Sequence, residues 1–264
     1  MKIKILYKDS NILAIDKPSG ILVHPDKKSK PARNASHSDA GGDKTILDLF
    51  IKRYPKVGIA HRLDRETSGV MLLAKNTKAH EFLKKQFMDR EIKKTYYAIV
   101  SGWVKNDRGI INKPIGRSPK DFRRHLAGRG VRGELREAIT EYKVLKRFKA
   151  SCAQNFSSCA LPRVRVGTLG DKNFVHIQPF TYLEIYPKTG RTHQIRVHMK
   201  FINHPVVCDS LYNPNKPCPK GLNRLALHAK SIEFNLPAGR QGNLKGKIIK
   251  IESPLPKEFL KVVK

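Results

Sequence analysis

Apolar positions along this chain come in short runs divided by turn residues, the pattern of many strands with a few helices between them. Residues 3–6 and 11–16 read as two strands around a turn at 8–10. A short helix over residues 46–51 follows, with Thr45 at its N-cap and Pro55 beyond its end. The run Val70-Met71-Leu72-Leu73-Ala74 is continuously apolar and predicts a buried strand. Asn76 or Thr77 then caps a helix that gathers Ala79, Phe82, Leu83 and Phe87 on one face and Lys78, Lys84, Lys85 and Arg90 on the other. Residues 94–100, 137–145, 182–186 and 247–252 predict further strands, and 256–264 a terminal helix. Residues 191–199 read as the start of a helix with Thr189 or Thr192 near its cap. Ile195 and Met199 sit one turn apart there, which leaves His193, Arg196 and Lys200 on the outer surface. Two stretches break the pattern. Residues 26–44 offer nothing apolar to bury and read as a solvated loop; residues 150–178 are poorly periodic, with short strands at 164–166 and 174–177, and read as an insertion. Residues 237–243 form a loop, and no internal repeat is present.

Length and composition fit a globular chain of one substantial domain or two small ones, with 264 residues, 39% hydrophobic and 28% charged. Charge changes the picture. Lys and Arg number 53 against 22 Asp and Glu, a net +31, and so large an excess repels itself unless a polyanion is the working partner. Nucleic acid leads, with an anionic membrane surface second. No run approaches the length of a membrane span, and the N-terminus lacks the apolar core of a signal peptide, so the expected location is the cytoplasm and no membrane partner is expected. The four cysteines, Cys152, Cys159, Cys208 and Cys218, show no C-x-x-C pairing, read as free thiols, and with His198 and His204 are spaced too loosely for a metal site. The most basic block lies between residues 113 and 149, where Arg117, Lys120, Arg123, Arg124, Arg129, Arg132 and Arg136 outweigh acids and favour phosphate recognition by guanidinium.

Candidate chemistry gathers in His61-Arg62-Leu63-Asp64-Arg65-Glu66-Thr67-Ser68-Gly69, a polar loop feeding the apolar strand. Asp64 stands between Arg62 and Arg65. A carboxylate among cations suits a nucleophile or a base, and the same cluster also fits a plain surface ion-pair loop. Upstream, Lys17-Pro18-Ser19-Gly20 makes a turn between apolar strands. Tyr96 and Tyr97 are adjacent on a strand and therefore point to opposite faces, so at most one faces a cleft. Gly190-Arg191-Thr192-His193 opens a basic helix start, a ready anion site. There is no Walker A loop, no dinucleotide-binding glycine pattern and no cluster of acidic metal ligands, the last of which a nuclease would want.

Taken in order, these strings resemble the signatures of the RluA-type pseudouridine synthases: Lys-Pro-x-Gly with a Val-His-Pro at Val23-His24-Pro25, the His-Arg-Leu-Asp loop, Lys94-Thr95-Tyr96, and Gly190-Arg191-Thr192-His193-Gln194-Ile195-Arg196. The resemblance runs from about residue 11 to about residue 256. It departs at Cys208, where the family usually has glycine. It implies an α+β fold, a mixed and mostly antiparallel bent sheet around a catalytic cleft with flanking helices, over a single catalytic domain 1–264 with inserts at 26–44 and 150–178. It implies an RNA isomerase with Asp64 as the catalytic carboxylate, Arg191 paired to it and Tyr96 beside the base. Arg62, Arg65, Arg117, Arg123, Arg124, His193 and Arg196 are the expected RNA contacts, with Leu63 and Ile195 as pocket walls. No cofactor and no metal are expected, since isomerisation oxidises nothing. Structured RNA, ribosomal or transfer, is the expected partner of a monomer, with no S4-type module ahead of Lys17. Two alternatives accompany this reading. An RsuA-type synthase usually has glycine where this chain has His61, and a non-catalytic RNA-binding ribosome-assembly factor would not need Asp64, Tyr96 and Arg191 together.

Overall fold

In the computed structural model, residues 3–24, 44–152, 164–165, 174–175, 177–236 and 247–263 are described. The predicted loops at 26–43 and 237–243 lie outside them. The chain divides into two compact units, Met1–Ile92 with Ser231–Ser253, and Lys93–Lys230 with Pro254–Lys264.

The first unit is built on strands β1 (Lys4–Lys8), β2 (Ile12–Lys17), β3 (Gly58–Ile59) and β4 (Ser68–Ala74) with helices α1 (Ile46–Ile51) and α2 (Thr77–Met88). β1 runs antiparallel to β2, and β2 and β3 antiparallel to β4. Every residue of β4 is buried, as are Ile12, Leu13, Ala14 and Ile15 of β2, so these strands are covered on both faces. That is why their sequences are continuous apolar runs and do not alternate. The helix caps follow the sequence: Thr45 and Asp48 form a capping box on α1, and the Asn76 side chain accepts from Ala79 N–H to open α2. α2 buries Ala79, Leu83 and, against its polar character, Gln86. The Gln86 amide is paired both ways with the Asn235 backbone, donating at 3.0 Å and accepting at 2.9 Å.

The second unit comprises β5 (Lys93–Ser101), β6 (Arg108–Asn112), β7 (Ile115–Arg117), β8 (His125–Ala127), β9 (Arg132–Arg136), β10 (Ile139–Ser151), β11 (Val164–Arg165), β12 (Phe174–Val175), β13 (Ile177–Pro187) and α3 (Gln194–Phe201). β10 and β13 form one long antiparallel hairpin, flanked by β6 on one side and β5 on the other. Ala98, Ile99, Val100, Leu183, Ile185 and Met199 are fully buried in its core. β8, β7 and β9 make a separate three-stranded sheet, and β11 pairs with β12. β14 (Leu227–Asn235) leaves this unit at Lys230, and β15 (Ile248–Glu252) pairs with its later half in the first unit. α4 (Lys257–Val263) closes the second unit, its Phe259 fully buried. The α+β class and the mostly antiparallel pairing are as the sequence implies.

Three expectations are corrected. The strands at 137–145 and 182–186 each run several residues further, because they zip against one another to Ser151 and Ile177, so the expected insertion at 150–178 begins inside a hairpin. Cys208 and Cys218 are not free thiols but a disulfide, with Cα atoms 5.4 Å apart, while Cys152 is buried. The helix expected from residue 191 starts later, at Gln194, with His193 as its N-cap in the left-handed region at φ 56°. Cys208 shares that backbone region at φ 55°, a conformation that glycine adopts more readily than any residue with a side chain. Among the described residues no helix is long and apolar enough to cross a membrane.

Candidate active site

In the first unit the loop ahead of β4 carries Arg62 and Arg65 exposed, Leu63 5% exposed and Asp64 half-buried. What fixes it is the Lys17 turn. Lys17 is 0% exposed, and its ammonium donates to the carbonyls of Pro18, Asp64, Arg65 and Thr67 at 2.9–3.2 Å. Ser19 Oγ donates to Glu66 O at 2.6 Å, Gly20 N–H to Arg65 O at 2.8 Å, and Arg65 Nε back to Gly20 O at 3.0 Å. Every carbonyl from Asp64 to Thr67 is therefore taken by the turn at Lys17-Pro18-Ser19-Gly20. Gly20 adopts φ 94° there, and Gly69 adopts φ 116° where the loop enters β4 opposite Lys17. At the other end of the loop His61 accepts from Leu72 N–H through Nε2 at 2.9 Å and stacks on Phe87 with centroids 4.6 Å apart.

In the second unit Tyr96 and Tyr97 diverge as adjacent strand residues must. Tyr96 lies opposite Ile185, whereas Tyr97 lies opposite Glu184 and meets Tyr182 edge-on at 5.4 Å. Burial, with Tyr97 and Glu184 adding to it, pushes the Tyr182 phenol up; burial and a hydrogen bond to Glu184 push Tyr186 up to about 12. Lys94 shares the Tyr96 face of β5, two residues earlier. Its ammonium donates to Thr189 O at 3.2 Å, and burial pulls its pKa down to about 8.

Thr189 begins the turn that presents Arg191, and Gln194 clasps that turn. Its Oε1 accepts from Thr189 Oγ1 at 2.7 Å and from Arg191 N–H at 3.0 Å, while its amide nitrogen donates to Ile139 O and Thr140 Oγ1. Arg191 itself is half-buried and donates from Nε to Glu137 O at 2.9 Å. His198 is also buried, with Nε2 on Lys113 O at 2.9 Å and Nδ1 on Thr140 Oγ1 at 2.8 Å; burial lowers its pKa.

Arg196 is a correction. The sequence puts it on the outer helix surface toward RNA or solvent; the structure leaves it 3% exposed in a two-armed pair with fully buried Asp209, at 2.7 and 2.8 Å. The reason is that α3 is covered on more than one face: Gln194, Ile195, Arg196, Val197, His198 and Met199 are all buried. Asp209 Oδ1 also accepts from Leu211 and Tyr212 N–H, and the guanidinium lies 5.1 Å from the Tyr212 ring centre. Tyr212 in turn ties His193 Nδ1 and His125 N–H to its hydroxyl, each at 2.9 Å. Of the remaining expected contacts, Arg117 and Arg123 are exposed and Arg124 is half-buried, all at the β7–β8 hairpin. Arg123 grips Asp121 with two hydrogen bonds and pulls its carboxyl down to about 2.

Residues 11–201 match the family model for RNA pseudouridylate synthase. The chain belongs to the RNA pseudouridylate synthase family. It is 33% identical to an uncharacterised RNA pseudouridine synthase of Bacillus subtilis over all of this chain and 72% of that protein. It is 33% identical to ribosomal large subunit pseudouridine synthase D of Pseudomonas aeruginosa, over 98% of this chain and 70% of that protein. Among solved structures, human RNA pseudouridylate synthase domain containing 1 superposes with a TM-score of 0.66 at 21% identity, covering 97% of this chain and 84% of that one, a likeness of fold. The RluA-type assignment and the RNA-isomerase activity stand on this membership, and neither alternative reading is favoured.

Three residues of this pseudouridylate synthase escape sequence reasoning: Lys17, Gln194 and Lys94, each of which holds backbone at a motif. All three stand inside the quoted motifs, but nothing in the local pattern marks their burial or the backbone groups they bind.

Breaking the buried Arg196 pair leaves a naked carboxylate. Arg196→Met should cost roughly 3–5 kcal/mol in urea unfolding, with Arg196→Lys intermediate; a variant of wild-type stability with weakened RNA binding would restore Arg196 to the surface. Lys94 sets a pH dependence. Its folded pKa of about 8 lies below its ordinary 10.5, so between those values the unfolded chain binds more protons and stability rises with pH. The stability of wild type minus that of Lys94→Met should therefore increase as pH is raised from 8 to 10.5, the mutant being the flatter.

Proposed function

We propose that this synthase isomerises uridines of large-subunit ribosomal RNA, with Asp64 as nucleophile, Arg191 paired to its carboxylate and Tyr96 against the base. The observation that carries the reading is the Asp64 loop: a carboxylate between two arginines, its backbone pinned carbonyl by carbonyl to the Lys17 turn. Preorganisation of that kind suits a group that must meet a reacting atom at one fixed place. Relatives named for the large ribosomal subunit support the substrate class.

The chemistry asks little else of the protein. The bond from uracil N1 to the ribose C1′ breaks, the base turns, C5 bonds to C1′, and the proton on C5 is lost as N1 takes one up. Nothing is oxidised, so no cofactor and no metal are required. Asp64 supplies the attacking carboxylate, and Arg191 orients it by a two-armed guanidinium contact. Tyr96 stacks beside the uracil and relays the proton. Arg62, Arg65, Arg117, Arg123, Arg124 and His193 hold phosphates and help extrude the target nucleotide, whose unstacking costs a few kcal/mol. Residues 1–264 act as one catalytic domain, monomeric and cytoplasmic. Arg196, being buried, supports the helix beside His193 and is no part of the RNA contact.

Asp64→Asn should fold and bind ribosomal RNA as wild type does but return no pseudouridine when a strain lacking the gene is complemented and its RNA mapped. Turnover near wild type would sink the nucleophile assignment. Arg191→Lys keeps the charge and loses the fork, so its single-turnover rate should fall on the order of a hundredfold with RNA affinity little changed. A small effect on rate would remove Arg191 from the site.

A further inference from the structure

Behind the Arg191 turn lies a buried polar chain that the proposed chemistry leaves unused. Thr140 and His198 are both 0% exposed. Thr140 stands on β10 between Ile111 of β6 and Pro187 of β13, and His198 lies one helical turn beyond Gln194 on α3. Apolar side chains would fill both places with no donor or acceptor to satisfy, so two polar groups there need a reason. Their partners dictate where each proton lies. Lys113 O only accepts, so His198 Nε2, 2.9 Å away, carries the proton and Nδ1 of the neutral ring accepts. Thr140 Oγ1 gives its proton to Nδ1 at 2.8 Å and itself accepts from the Gln194 amide nitrogen at 3.0 Å. That nitrogen also donates to Ile139 O, which turns Gln194 Oε1 toward Arg191 N–H at 3.0 Å and the Thr189 hydroxyl at 2.7 Å. Thr189 Oγ1 in turn accepts from Ile139 N–H at 3.1 Å. Rotating the Gln194 amide end for end would set donor against donor at Arg191 and acceptor against acceptor at Ile139.

The same stretch of backbone holds the guanidinium. Arg191 Nε donates to Glu137 O at 2.9 Å, and Lys188 N–H donates to Ile139 O at 3.0 Å. Residues 137–140 therefore grip both the Arg191 side chain and the turn that presents it. With Nε committed, the two terminal nitrogens are what Arg191 offers a carboxylate. An arginine has several rotatable bonds between backbone and guanidinium, so holding the backbone alone would leave the fork loose. Holding Nε and the N–H against one stretch of strand removes that freedom before any ligand arrives. The Gln194–Thr140–His198 chain anchors this stretch to α3 and to the backbone at Lys113.

We propose that Thr140 and His198 are positioning residues for Arg191, holding its turn through Gln194 in the arrangement from which the guanidinium meets the catalytic carboxylate. This rests on the reading that Arg191 is paired to Asp64. Both residues act through Gln194 and not on the RNA.

The test uses the full chain and compares Thr140→Val, which keeps the shape and removes the hydroxyl, with Thr140→Ser, which keeps the hydroxyl. On transcribed large-subunit ribosomal RNA, valine should lower the single-turnover rate roughly ten- to a hundredfold at unchanged RNA affinity, and serine should keep most of it. His198→Leu should behave like Thr140→Val, whereas His198→Asn, whose Oδ1 takes the place of Nδ1, should recover much of the rate. Because Thr140 acts through Arg191, Thr140→Val should cost little more once Arg191→Lys is present. Amide hydrogen exchange needs no substrate: Arg191 N–H should exchange faster in Thr140→Val and as in wild type in Thr140→Ser, while amides at the centre of β5 stay unchanged in both. Should valine unfold the protein, the two His198 variants carry the same comparison. Serine no better than valine, a valine loss that multiplies in full with that of Arg191→Lys, or unaltered exchange at Arg191 in Thr140→Val overturns the proposal. If Arg191→Lys leaves the rate unaltered, the pairing of Arg191 with Asp64 fails instead, and the exchange comparison still decides whether this chain holds the turn.

Discussion

The fully buried ammonium of Lys17 is the constraint on which the first unit's chemistry depends. Burying a charge is expensive, and here the compensation is a set of backbone carbonyl dipoles, three of them on the loop that carries Asp64. The consequence is asymmetric. Loop and turn cannot separate without stranding a charge in the interior, so the loop is held far more firmly than its polar, half-exposed sequence suggests. A neutral residue at Lys17 would take the ammonium from those carbonyls, leaving Arg65 O with Gly20 N–H and Asp64 O with Thr67 N–H. The Lys-Pro-x-Gly turn and the His-Arg-Leu-Asp loop are thus a single device, although 47 residues separate Lys17 from Asp64.

The second unit solves a similar problem with a neutral group. The Gln194 amide both donates and accepts, so one side chain binds the Thr189 hydroxyl, the Arg191 N–H and the β10 backbone together. An amide carries no charge to desolvate, which suits a place where the guanidinium of Arg191 must be the electrostatic feature. The Arg196–Asp209 pair supports the same helix from beneath, and Tyr212 links it to His193 and the arginine-rich ribbon. A buried pair of this geometry contributes position more than net stability.

How much of this was legible follows from what sequence patterns encode. Continuous apolar runs and capping residues mark elements, so β2, β4, α1 and α2 are readable, as is the loop holding Asp64. β6, β7 and β9 were not, because short strands rich in arginine and glycine give no apolar alternation to read. Arg196 was misread because a short helix with a polar and an apolar face reads as half-exposed, whereas α3 buries every residue from Gln194 to Met199 and pairs Arg196 with Asp209. The disulfide lies beyond sequence as well: a spacing of 10 residues between Cys208 and Cys218 says nothing until the turn between them closes. The Cys208 departure from glycine, in contrast, was visible as an oddity, and its positive φ is a conformation that favours glycine over cysteine.

The charge excess separates into two functions with different responses to solvent. Lys17 and Arg196 are spent internally, screened from salt by burial, and fix geometry. Arg123 with Asp121 and Arg136 with Glu134 are exposed pairs, worth little as stability but able to orient a guanidinium or stiffen a hairpin tip. Among the described residues, Arg62, Arg65, Arg117 and Arg132 lie exposed, where they attract a polyanion in proportion to how little salt competes. Raising ionic strength should therefore release RNA long before it disturbs the Asp64 loop or the Arg191 turn. On the proposed reading, catalytic geometry and substrate capture are in this way decoupled: the Asp64 loop and the Arg191 turn are bound to backbone, and the proposed RNA contacts lie in the solvent-exposed field.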